Sequence, residues 1–169
     1  MKKDYMDACM NSTRQRIMQV IMIKKEATSA EIGEELPDIP RASLYRHIKV
    51  LLDAEIIVVV KKESKRGSIE KTYAIATKMP YEDTNQEYNS LIQSALMGLQ
   101  GEFHRYFNGV NPDPKRDLLT VGSASLMMSD EEMMEFISAY GQLVQKYLSN
   151  KSSGSRKVRK VTLVVSPNE

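Results

Sequence analysis

Arg41, Ser43, Tyr45, Arg46 and Lys49 sit close together in the chain, interleaved with Leu44, Ile48, Leu51 and Leu52. At helical spacing the apolar residues form one buried stripe, and the polar set points largely elsewhere. Such an outer face has a definite chemistry. Arginine pairs bidentately with guanine in a major groove, serine and tyrosine hydroxyls bond bases or phosphates, and lysine is a point charge for phosphate. His47, on the same helix, completes the candidate contact set. A second cationic group follows: Lys61, Lys62, Lys65, Arg66 and Lys71 gather around Gly67, where they would meet a phosphate backbone or a minor groove. Residues 41–71 hold eight Lys/Arg against four Asp/Glu, a local +4 in a chain whose net charge is only +2. Alone, the helix is better read as a solvated amphipathic surface, and the lysines as the ordinary protection of an exposed hairpin. Together they favour a duplex nucleic acid.

The elements that must position these residues can also be read. Thr28 or Ser29 can cap a short helix with Glu31 in its first turn and Ala30, Ile32 and Leu36 as inward positions. Pro37 disfavours helical geometry at Leu36, and Pro40 fits the opening of the next helix, so the turn falls at residues 37–39. Residues 56–62 are nearly all β-branched or basic, and Ile69, Thr72, Tyr73 and Ile75 resume that pattern beyond a tip at 64–68. Helix, turn, basic helix and hairpin, in that order, make a helix-turn-helix with a wing.

The run Ser43-Leu44-Tyr45-Arg46-His47-Ile48-Lys49-Val50-Leu51 is similar to the recognition-helix pattern of ArsR-type winged-helix transcription regulators. Asp53-Ala54-Glu55-Ile56-Ile57 resembles that family's acidic-Ala-Gly-Leu-Val exit into the wing, with Glu55 where the family has glycine. A glycine there ends the helix by taking positive φ, so Glu55 predicts either a left-handed non-glycine residue or a different exit. The resemblance spans roughly half the chain, and MarR-like winged helices share most of it. It implies DNA binding, and it does not extend to the metal-sensing subset. Those members carry a paired-cysteine box near the first recognition-unit helix, and residues 31–36 here have none. With one cysteine, Cys9, and two histidines, His47 and His104, the chain offers no metal cage and no internal disulfide. Cys9 has no cationic neighbour closer than Lys3 or Arg14 to activate a redox-sensing thiol.

A chain of 169 residues can bury a good core. Its charge is divided, with +4 on residues 1–78 and −2 on residues 79–169. No run approaches the roughly 20 apolar residues of a spanning helix and none reads as a signal peptide, so a cytoplasmic location is expected.

Asn11-Ser12-Thr13 can cap a helix reaching about Lys25, with Ile17, Val20, Ile21 and Lys24 on one face, and the residues before it read as a frayed helix or arm. Residues 85–107 hold the longest helical pattern: Tyr88, Leu91, Ile92, Ala95, Leu99, Phe103 and Tyr106 recur at three or four residues. Gly98 and Gly101 within it suggest a close helix approach or a bend. Such a helix with no evident partner favours a dimer seam over plain domain core. Asn111-Pro112-Asp113-Pro114 breaks the chain. Beyond it residues 118–128 read as a strand, Ser129-Asp130-Glu131-Glu132 as a capping box, 133–147 as an amphipathic helix and 158–166 as a last strand. The methionines at 97, 127, 128, 133 and 134 suit a Met-rich core better than a plastic ligand pocket.

The sequence therefore predicts an α+β protein: a winged helix-turn-helix domain over 1–79, then a dimerisation and effector unit over 80–169 made of the long helix 85–107 and a strand-helix-strand unit at 118–166. The expected function is a sequence-specific DNA-binding transcriptional regulator. It would act as a homodimeric repressor on double-stranded DNA, open to a small-molecule effector of unsettled identity and using no cofactor. The alternative is a winged-helix interaction module that binds an acidic protein partner. An enzyme is not expected, because the chain has no Gly-rich phosphate loop, no nucleophile with a nearby His and acid, and no ligand set.

Overall fold

Thr28 starts the helix that precedes the turn. In the computed structural model, which describes residues 4–65, 67–77 and 84–166, its hydroxyl accepts from the Glu31 amide at 3.2 Å while the Thr28 amide donates to the Glu31 carboxylate at 2.7 Å. This reciprocal capping box fixes α3 (Ser29–Glu35). Upstream lie α1 (Asp4–Met10) and α2 (Ser12–Lys24), the latter capped by Asn11, whose side chain accepts from the Arg14 amide at 3.1 Å. Pro40 holds the N-cap position of α4 (Arg41–Asp53) without a side-chain bond. The turn between α3 and α4 falls at 37–39, where the two prolines put it.

The core gathers under α4. Ile17 and Ile21 of α2, Ile32 of α3, Leu44, Ile48 and Leu51 of α4 and Ile57 beyond it are essentially removed from solvent, each at about 1.5–3 kcal/mol of transfer free energy. Two inward expectations are corrected. Ala30 is exposed, because α3 turns its Ile32–Leu36 side to the core, and Leu52 of α4 is only half-buried. Lys24, expected on the inner face of α2, is exposed and pairs with Glu35 at 3.3 Å.

The sheet has the order β1-β3-β2, all antiparallel, from β1 (Ala27–Thr28), β2 (Ile57–Lys65) and β3 (Ser68–Ile75). β1 is too short to be read from the sequence and attaches the hairpin to the front of α3. The hairpin is long, and Gly67 at its tip takes φ +82°, which a side chain would resist. α5 (Asn85–Phe107) follows. It packs on α1, with Gly98 facing Met10 at 3.8 Å from where a Cβ would stand. The premise that this helix lacks a partner is therefore corrected, and α1 is a packed helix with Ala8 fully buried, not a frayed arm.

Two compact units divide at residues 107 and 108, so α5 groups with the winged helix. In the second unit α6 (Asp130–Leu148) forms behind a Ser129 capping box closed by Glu132 at 2.8 and 3.2 Å. The strands expected at 118–128 and 158–166 do not form: neither segment joins a ladder. Side chains tie the two segments instead, Lys157 pairing with Asp117 at 3.7 Å and Arg159 donating to the Asp117 carbonyl. Among the described residues of this unit none is buried. Met127, Met128 and Met134 are exposed there, so these methionines line neither a core nor a pocket within the unit.

Candidate nucleic-acid interface

α4 divides its residues by the periodicity that built it. Leu44, Ile48 and Leu51 are buried, while Arg41, Tyr45, Arg46 and Lys49 are exposed and Ser43 half-exposed on the other side. His47 departs from the set. It is half-buried with Nδ1 inside the protein and without a hydrogen-bond partner among the described residues. Burial first, then the nearby Arg14 and Arg46 cations, hold its pKa below the usual imidazole value.

Two arginines outside the predicted contact set make long-range contacts beneath this face. Arg16 on α2 reaches Asp38 in the turn with both guanidinium nitrogens, at 2.6 and 2.8 Å, pinning the α3–α4 corner to the helix beneath it. That pair holds the Asp38 carboxyl below its ordinary range, chiefly through the Arg16 hydrogen bond. Arg14 is buried, donating Nε to the Ala8 carbonyl at 2.8 Å and Nη2 to the Asp7 carbonyl and carboxylate at 2.5 and 3.0 Å. Separations of 22 and 7 residues left no local signal for either contact.

Helix α4 leaves through Glu55. Its φ is +58°, its amide donates to Leu52, and the Ile56 amide donates back to Leu51. This is a Schellman ending with glutamate in the left-handed position that glycine usually takes. The first of the two exits left open by the sequence is the one used.

In the wing, the β2–β3 register slips between Val59 and Lys61. Val59 opposes Tyr73, and after the slip Lys62 opposes Lys71. Without this bulge strict alternation would set Lys61 on the side of Val59; with it, Lys62 takes that side. Lys71 and Tyr73 share a face of β3, so the face rooted on buried Tyr73 runs outward to the Lys62–Lys71 pair. Burial raises the Tyr73 phenol pKa, and Tyr45 of α4 lies near enough to add to the rise. The α4 outer face and the base of that wing face are thus neighbours.

Lys61, Lys62 and Lys71 do not all share one face of the wing. Lys61 lies on the opposite wing face and bonds Glu63 at 2.8 Å, which raises its pKa. Lys65 ends β2 opposite Ser68, and Arg66 lies outside the described residues. Cys9 is half-buried, and burial pushes its thiol pKa up, against the lowering influences of Tyr5 and Arg14. No helix among the described residues is long and apolar enough to cross a membrane.

A three-helix core, a tight turn, an exposed basic third helix and an attached hairpin define a winged helix-turn-helix protein. Residues 10–60 match a helix-turn-helix domain family, covering α2 to α4 and the start of β2. The match supports a helix-turn-helix of the transcription-regulator type. No curated protein matches the chain.

Proposed function

We propose that the protein is a homodimeric, sequence-specific transcriptional repressor. Each protomer lays α4 in a major groove, with Arg46 and Arg41 reading base edges, Ser43 and Tyr45 bonding bases or phosphates, and Lys49 on phosphate. The Lys62–Lys71 face of the wing grips the flanking backbone, and Lys65, Arg66 and Lys61 add charge near the tip. Functionally the chain then divides into a DNA-binding part over 1–79 and a dimerisation and effector part over 80–169. The exposed ridge of Tyr88, Ile92 and Leu96 on α5 supports a subunit seam beside α1.

The observation that carries this reading is the Lys62–Lys71 pairing. Two like charges directly opposite across a ladder destabilise a free hairpin, and a phosphate between them turns the repulsion into two favourable contacts. With the exposed α4 face the pair would offer DNA one cationic surface. The test is a gel-shift series over salt with selected and random duplexes. Arg46→Ala should lose about 1–3 kcal/mol on the selected site and much less on random DNA, whereas Lys71→Ala should weaken both alike and reduce the salt slope by about 1. Equal losses for the two variants would remove base reading from Arg46. No shift at low salt would favour an acidic protein partner instead.

A further inference from the structure

We propose that α6 is a self-association helix, pairing antiparallel with α6 of a second copy around a two-fold axis at Tyr140. This deepens the homodimer reading above and rests on it. The second unit has no buried residue among those described, yet it exposes Phe136, Ile137, Leu143 and Tyr147 to between 39 and 64 %. A unit this apolar without an interior acquires one by association. The helix itself is firmly specified, with a closed capping box at its start, so the missing element is what covers its face.

The pattern on α6 selects the occupant. Met133, Ile137, Tyr140, Leu143 and Tyr147 lie on one apolar face of the helix, and this set maps onto itself about Tyr140. Charge runs from acidic to basic along the helix: Asp130, Glu131, Glu132 and Glu135 at the start, Lys146 in the last turn and Lys151 just beyond. A parallel pair would stack acid on acid. An antiparallel pair sets the acidic end of each copy against the basic end of the other and opposes the two helix dipoles. Centred on Tyr140, it places Met133 against the second copy's Tyr147 and Ile137 against its Leu143. The 19-residue helix is about 28 Å long, so the two copies of Met133 lie about 21 Å apart.

Cysteine scanning of the full chain tests this geometry. In a Cys9→Ser background, mildly oxidised at low micromolar concentration, Tyr140→Cys should give a covalent dimer on a non-reducing gel. Met133→Cys alone should stay monomeric on the gel, since a disulfide needs Cβ atoms about 4 Å apart. Met133→Cys mixed with a size-tagged Tyr147→Cys chain should give the mixed product. A Tyr140→Cys chain that does not cross-link overturns the proposal, whether α6 packs elsewhere in its own chain or on another partner. Self-linking of Met133→Cys also overturns it, in favour of a parallel pair. Gel shifts on the same samples separate this result from the DNA reading: DNA binding without the Tyr140 cross-link fails the α6 pair alone, and the cross-link without DNA binding fails the DNA reading alone.

Discussion

Glu55 and His47 are the two residues whose placement conflicts with their chemistry. A left-handed backbone costs a residue with a Cβ on the order of 1 kcal/mol, and Glu55 carries that cost at φ +58°. Glu55→Gly should therefore raise stability by about 0.5–1 kcal/mol in urea unfolding, less whatever the glutamate side chain contributes, whereas Glu55→Val should lower it. For His47 the folded pKa lies below its ordinary 6.5 because burial and two neighbouring guanidiniums oppose the imidazolium. Between the folded value and 6.5 the unfolded chain binds more protons. Stability should therefore fall as pH drops through about 6.5, and His47→Gln should flatten that part of the pH profile in thermal unfolding. The sequence named both positions without resolving them. Glu55 stood where a glycine was expected, and His47 was grouped with the groove-facing residues because helical spacing cannot tell a half-buried flank from an exposed one.

At the scale of elements, what is encoded locally was legible. The caps at Asn11, Thr28 and Ser129, the proline-bounded turn, the split of α4 into buried and exposed sides and the extent of α5 all follow from residues a few places apart. What depends on distant partners was not. The alternation at 118–128 and 158–166 marks segments able to form strands, but a strand exists only in a ladder, and these segments meet through Asp117, Lys157 and Arg159 side chains. The bulge at Val59–Lys61 was equally hidden, and it decides which wing lysines share a face. Of the five wing cations foreseen, it sets Lys62 and Lys71 on one face and turns Lys61 to Glu63 on the other. Lys71→Thr should consequently stabilise the hairpin by about 0.2–0.5 kcal/mol while weakening DNA binding, a trade measured by urea unfolding beside gel shifts. A pure structural role for Lys71 predicts no change in DNA affinity. Arg16→Ala and Asp38→Ala should each cost about 0.5–1 kcal/mol by loosening the α3–α4 corner, and their double variant should cost no more than the larger single loss.

The whole molecule combines a first unit with a real core and a second unit in which no described residue is buried. The first can hold a rigid helix against a groove, because Leu44, Ile48 and Leu51 of α4 pack with four other nearly inaccessible side chains and the turn before it is pinned. The second offers apolar faces that only another surface can cover. A dimer joined through such a unit would present two α4 helices at once, with half-sites about one helical turn apart. All of this depends on the cationic surface of α4 and the wing meeting DNA. The most direct measurement is the affinity of the purified chain for a random duplex across a salt series, beside the Lys62→Ala/Lys71→Ala variant. Our account predicts micromolar-range binding at about 50 mM salt, a log–log slope of about −4 or steeper, and a slope shallower by about 2 in the double variant. Absence of binding at that salt, or a slope unchanged by removing both lysines, would contradict it.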